Sequence, residues 1–255
     1  MLVIPSGNTS ILLYEVIYIL NSPSLTEIFV SKLEKLILTE EWQIGSVVPS
    51  LRDLTEDFGV SRSVVNVGIS ELISRGYLVT SARKNTVVAD WKSGGTLAVL
   101  NGLLANDLMD ERTLSSLFDC RYLIMTDSAF LAAQNRTESE LKAMRALLEN
   151  EDYSGRAEAL AKYDMELHRT VAAASGNAVY PLILKSFEPS IEHLIEKFYS
   201  DTGVVAFIRQ KHSELVGAIE RGSSEDAKRA MKELLQHGRN SQEWIRKVDG
   251  NGSKV

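Results

Sequence analysis

A single cysteine, Cys120, stands among the 255 residues. No internal disulfide is available, so an apolar core must hold the fold, and a reducing cytoplasm is the expected setting. Basic charge is scarce as well. The net charge of −6 excludes a general nucleic-acid coat and leaves room for a local basic face only. Long apolar runs are missing. The most apolar stretch, residues 10–20, falls far short of the ~20 residues that span a bilayer, and Glu15 interrupts it. The first basic residue is Lys32, whereas a secretory signal leads with positive charge. Residues 1–24 therefore read as an N-terminal extension, an extra helix packing on the body or a partner, and no membrane contact is expected. There is no internal repeat, and the second half shows no strand-like alternation of useful length.

What is present starts with 44% apolar residues, enough to build cores for two modest domains. Residues 25–42 carry an apolar stripe of Ile28, Leu33, Leu36 and Ile37 behind the capping pair Ser24 and Glu27. Ser50 is placed to cap a second helix that runs to about Phe58. After the turn at Gly59, Ser61 opens a third helix, which reaches Arg75 and stops at Gly76. Residues 77–80 and 86–89 read as two short strands. This order is a winged helix-turn-helix over residues 25–92, whose last helix enters the DNA major groove with its N-terminal residues at the base edges.

Arg62, near the start of that helix, can reach guanine O6 and N7 with two hydrogen bonds. Ser50, Ser61 and Ser63 have short hydroxyls suited to phosphate oxygens, although capping is the simpler task for Ser50 and Ser61. Asn66 follows one turn along. Arg52 is placed to clamp the backbone, and Arg83 and Lys84 at the wing tip to reach the minor groove or phosphates. Residues 50–84 nearly balance in charge, with Arg52, Arg62, Arg75, Arg83 and Lys84 against Asp53, Glu56, Asp57 and Glu71. One copy should bind weakly, so a homodimer on a palindromic operator is expected. Gly68 interrupts the helix at a cost of about 1 kcal/mol against alanine.

Residues 90–95, with Ser93, Gly94 and Gly95, read as a linker. Residues 93–250 then read as an all-α antiparallel helical bundle. Leu97, Leu100, Leu103 and Leu104 share one face, and segments near 138–149, 156–175, 178–199, 204–221 and 224–247 follow. The fold class is mainly α. Asp164 and His168 are four apart and share a helix face, a half-site for a divalent metal to which His212 could add a third donor. The same spacing fits a buried Asp–His hydrogen bond with His212 at the surface. Arg121 suits the forked binding of an effector carboxylate, or a structural ion pair. Cys120 reads as a buried small side chain and His193 as a surface residue.

Gly45-x3-Pro49-Ser50-Leu51-Arg52-Asp53-Leu54, Phe58-Gly59-Val60-Ser61-Arg62-Ser63-Val64-Val65 and Leu72-x3-Gly76-Tyr77-Leu78 resemble the GntR family of bacterial transcription regulators. Asp164-x3-His168, Ala173-Ala174-Ser175-Gly176-Asn177, Lys211-His212 and Ala227-x3-Met231 resemble the helical effector (FCD) domain of its FadR-type subgroup. The resemblance spans roughly residues 26–247. It implies a ligand-responsive regulator, a repressor by default, that binds double-stranded DNA. The implied effector is a small carboxylate, a sugar acid or other organic acid, beside a divalent transition metal, zinc or nickel first. Asp164, His168 and His212 match the implied ligands; the position of a further histidine is Leu234, with His237 three residues on. Leu51, Asn66-Val67-Gly68 and Arg83 stand where the family usually has Glu or Ala, Arg-Glu-Ala and Gly, which touches operator sequence more than fold. A fatty-acyl-CoA-responsive regulator is the alternative within the family. A metal-dependent hydrolase is the alternative outside it, against which no second carboxylate or nucleophile stands at a motif spacing.

Overall fold

The computed structural model describes residues 23–80, 85–150, 156–186 and 188–252. The expected extra helix in the N-terminal extension lies outside them. The chain forms two compact units, residues 1–106 and 107–255.

The first unit begins with α1 (Leu25–Leu38), capped by the reciprocal pair of Ser24 and Glu27. It ends four residues earlier than its sequence suggests, because Thr39 caps it and Glu40 turns into the left-handed region at φ 60°. Then follow α2 (Leu51–Phe58) and α3 (Arg62–Arg75), separated by Gly59 at φ 63°. The turn needs that left-handed residue, which glycine adopts without a Cβ penalty. Strands β1 (Leu78–Thr80) and β2 (Thr86–Val88) pair antiparallel, Leu78 opposite Val88, and Val47 bridges to Val87 beside them. Phe29, Leu33, Ile37, Leu54, Leu72 and Tyr77 are fully buried at the centre. The mainly α class and the winged arrangement are as the sequence implies.

Two expectations change here. Residues 91–94 form a short helix, α4 (Trp91–Gly94), and Trp91 and Val99 belong to the first unit's core. The expected linker is therefore part of this unit, which continues through α5 (Ala98–Ala105) to residue 106. The buried face of α5 is Val99 and Gly102, while Leu97 is exposed. Gly102 is buried because the Tyr77 ring fills the space beside it: a Cβ there would lie 2.1 Å from the Tyr77 hydroxyl. Aliphatic periodicity alone could not show which face an aromatic ring would claim.

Gly68 has a similar cause. A Cβ at this position would meet Phe29 Cδ1 at 2.5 Å and Cε1 at 2.8 Å, so α3 approaches α1 closely only because residue 68 has no side chain. Phe29 cannot easily move, since it is buried and stacks edge-on against Phe58 at 5.2 Å. Gly68→Ala therefore gains about 1 kcal/mol of helix propensity and loses about 1–3 kcal/mol to overpacking. The expected outcome is a lower urea midpoint, with Phe29→Leu restoring part of it in the double variant. A raised midpoint in Gly68→Ala alone would refute the close-packing account.

The second unit is a helical bundle: α6 (Glu111–Asn135), α7 (Glu138–Asn150), α8 (Ala157–Ala174), α9 (Tyr180–Ser186), α10 (Glu188–Tyr199), α11 (Val205–Glu220) and α12 (Ser224–Gly252). The long α6 packs on α8 and α12; α10 packs on α8, and α11 on α12. The segment expected at 178–199 is two helices. Pro189 explains the break, since its ring removes one N–H and clashes with the carbonyl four residues back. At the end of α8, Gly176 takes φ 76°, and Asn135 Nδ2 donates to the Ser175 carbonyl at 2.7 Å. Cys120 is exposed, against expectation, because it faces outward on α6. Among the described residues, no helix is long and apolar enough to cross a membrane.

Candidate metal centre and nucleic-acid interface

The buried centre lies in the second unit. On α8, the residues facing inward include Leu160, Ala161, Leu167 and Val171. Asp164 and His168 fall on this apolar face by their four-residue spacing, so the helix carries two polar groups into the core. From α11 comes His212, fully buried, which corrects the surface placement that spacing alone allowed. Each of the three offers one ligand atom, and these atoms lie within 4.8 Å of one another. His212 Nε2 is 3.3 Å from Asp164 Oδ1, and His168 Nε2 is 3.9 Å from Asp164 Oδ2. Neither contact is a hydrogen bond: His168 Nε2 and both nitrogens of His212 are buried without a hydrogen-bond partner.

Two further groups close the centre. Arg121, from α6, places Nη2 at 3.1 Å from His168 Nδ1 and 3.7 Å from Asp164 Oδ2. Tyr199, at the end of α10, donates its hydroxyl to Asp164 Oδ1 at 3.2 Å. Sequence reasoning missed Tyr199, because nothing in its neighbourhood marks it and only the fold brings α10 against α8. Burial works against the Asp164 carboxylate, but the His168 and His212 rings and the Arg121 guanidinium outweigh it and hold the group well below the usual carboxylate range. Burial pushes His168 down to about 3, with the attraction of Asp164 only partly offsetting it, so the ring is neutral at pH 7. Arg121 is lowered by burial and supported by Asp164.

A cavity of about 470 Å³ reaches this centre. Arg121, Tyr122 and Asp164 line it, together with Asp119, Phe198, Leu234 and Arg239. Leu234 is buried. It contributes an apolar wall where a fourth donor would otherwise enter. His237 does not join the group: its ring stacks on Phe207 at 4.1 Å and on Phe198 at 5.9 Å.

The donor set passes a direct test for a metal. Three orphaned nitrogens are costly in a dry interior unless something completes them. One carboxylate oxygen and one nitrogen from each of two imidazoles, brought together from two helices, are the hard-to-borderline donors that divalent transition metals accept. Asp164, His168 and His212 therefore fit a metal.

In the first unit, Ser50 caps α2: it accepts from Asp53 N at 3.3 Å and donates to Asp53 Oδ2 at 2.7 Å. Ser61 caps α3, accepting from Val64 N at 3.3 Å. Both serines are exposed, so the caps stand at the unit's surface. Arg62, Ser63 and Asn66 are exposed on one side of α3, while Val65 and Leu72 are buried on the other. Arg52 is exposed and pairs with Glu56 at 2.9 Å, an i, i+4 surface contact weak enough to be exchanged for a phosphate. Arg83 and Lys84 lie outside the described residues. Val67, not singled out in the sequence, is 52% exposed next to Asn66, and its methyls suit the C5 methyl of thymine.

A winged helix-turn-helix followed by a helical unit with a buried Asp–His–His cluster is the domain order of a DNA-binding transcription regulator. The chain belongs to the GntR family and carries the FCD effector domain of its FadR-type members. Residues 26–88 match the family described as bacterial regulatory proteins, gntR family, and residues 116–237 match the FCD domain. The fatty acid metabolism regulator protein of Shewanella pealeana is 29% identical over 192 residues, 71% of this chain and 77% of its own. The putative L-lactate dehydrogenase operon regulatory protein of Escherichia coli is 23% identical over 220 residues, 81% of this chain and 82% of its own. Among solved structures, Lar, described as controlling the Listeria monocytogenes agr system, shares the fold at a TM-score of 0.65 and 16% identity. The match covers 88% of this chain and 99% of that one.

Proposed function

We propose that the protein is a cytoplasmic repressor that binds a palindromic operator as a homodimer and leaves it when a small carboxylate enters the helical unit. The carboxylate, a sugar acid or other organic acid, is held by Arg121 beside a divalent transition metal, zinc or nickel. Asp164, His168 and His212 would hold the metal, which when bound supplies a fixed positive charge for a carboxylate oxygen. The observation that carries this reading is the set of orphaned nitrogens of His168 and His212 grouped around Asp164, which together with Arg121 lines the cavity. A volume near 470 Å³ suits a small organic acid. On the DNA side, Arg62, Ser63 and Asn66 read or position the duplex, Arg52, Ser50 and Ser61 meet phosphates, and Arg83 and Lys84 extend the contact from the wing. By linkage, an effector that weakens operator binding must itself bind less tightly to the operator-bound protein.

Selection from a randomised duplex library with the full-length protein tests the reading. The expected product is a palindrome whose binding, at fixed moderate salt, weakens with one member of a panel of small carboxylates. Elemental analysis of the same preparation should find about one metal per chain. No sequence enrichment would refute the operator assignment, and no carboxylate response would refute the effector assignment.

A further inference from the structure

The Asp164 centre holds a cation of its own. Arg121 is only 13% exposed, and its Nη2 lies against both His168 Nδ1 and Asp164 Oδ2. A guanidinium donates hydrogen bonds and never accepts them. His168 Nδ1 must therefore accept, which puts the ring proton on Nε2. Metal binding to His168 then has two forms. If Nε2 takes the metal, the proton must move to Nδ1, where it meets the Arg121 N–H head-on. If Nδ1 takes the metal, the guanidinium stands where the metal must go. The Arg121 contact and a metal exclude each other in both forms. The usual outer partner of a metal-bound histidine is a carboxylate or carbonyl that accepts the ring N–H, the opposite of a guanidinium.

Charge leads to the same place. Asp164 contributes one negative charge and Arg121 one positive, so the carboxylate already has its counter-charge. A divalent ion added beside Arg121 would leave two buried positive charges in excess, a costly state in a low-dielectric interior. Leu234 adds no charge to relieve it. The guanidinium can give way toward either of the two cavities that it lines; their carboxylates, Asp119 and Glu188, already pair with Arg239 and with Arg169 and Lys185, so there it needs an anion.

We infer that Arg121 and a divalent metal compete for the Asp164–His168 pair, so that the centre takes up metal together with a carboxylate anion that neutralises the displaced guanidinium. This rests on the metal reading above and deepens it. Metal and carboxylate form one composite ligand, and each raises the affinity of the other by the same factor. Arg121 is thus the occupant that must leave before the effector can be held.

Full-length protein is titrated with zinc against a chromophoric chelator, in chloride buffer with and without acetate. In the parent protein acetate should tighten zinc binding by about five-fold or more, the lower end of ordinary coupling. Arg121→Met should bind zinc more tightly than the parent in the absence of acetate and lose the acetate response. Arg121→Gln serves as the second variant, and circular dichroism confirms that each is folded. Zinc affinity unchanged or weakened in the folded variants overturns the competition, and so does a parent indifferent to acetate. If neither variant folds, the parent's acetate response decides alone. Asp164→Asn separates the two readings: zinc binding that survives this change removes the metal centre itself, whereas binding that needs Asp164 but ignores Arg121 and acetate removes the competition only.

Discussion

Replacing Asp164 with alanine is expected to destabilise the helical unit by about 3–5 kcal/mol, the cost of leaving one member of a buried ion pair behind. Arg121 stays charged at any pH the protein meets, and its carboxylate partner among the described residues is Asp164, 3.7 Å away. Loss of that carboxylate also removes the acceptor of the Tyr199 hydroxyl. The proposed metal binding should be lost in the same variant. The double variant Asp164→Ala, Arg121→Met buries no charge there and should recover most of the lost stability, as replaced buried pairs often do. Urea melts followed by circular dichroism give both numbers and their coupling. A single variant within about 1 kcal/mol of the parent would show that the pair is solvated, and the account of the centre as a dry, ion-paired site would fall.

Arg62→Ala should cost about 1–3 kcal/mol of specific binding for each half-site, the value of one good bidentate contact with a base. On a palindrome read twice, the loss grows to roughly a hundred-fold or more at fixed salt. The melting curve should be unchanged, because Arg62 is exposed at the first position of α3 and helps to bury nothing. The informative comparison is with Arg52→Ala. A phosphate contact weakens all sequences alike and lowers the salt slope, whereas a base contact relaxes preference at one position. If Arg62→Ala changes the salt slope but leaves preference intact, Arg62 touches phosphate and base reading belongs to Asn66 and Val67.

The elements fixed by local chemistry were legible before any coordinates. The Ser24, Ser50 and Ser61 caps and the glycines at 59 and 76 act over three or four residues, and the structure uses each as its sequence suggests. So was the pairing of Asp164 with His168, which one helix turn dictates. What escaped depends on neighbours far away in sequence. Whether His212 is buried is decided by how α11 packs, and the role of Tyr199 by where α10 ends. Gly68 looked like a penalty because its Phe29 neighbour lies 39 positions earlier. The split between α9 and α10 was legible in Pro189 but outweighed by the apolar periodicity around it. Arg121 was found by residue type, yet nothing in the sequence could show that it lies against His168 Nδ1 and Asp164 Oδ2.

The insertion of Tyr77 over Gly102 has a practical consequence for dissecting the regulator. Cutting after residue 92, where the glycines invite it, would strip α5 from the reader and uncover a ring that is otherwise wholly enclosed. A DNA-binding fragment that keeps its own interior has to run on to Asn106.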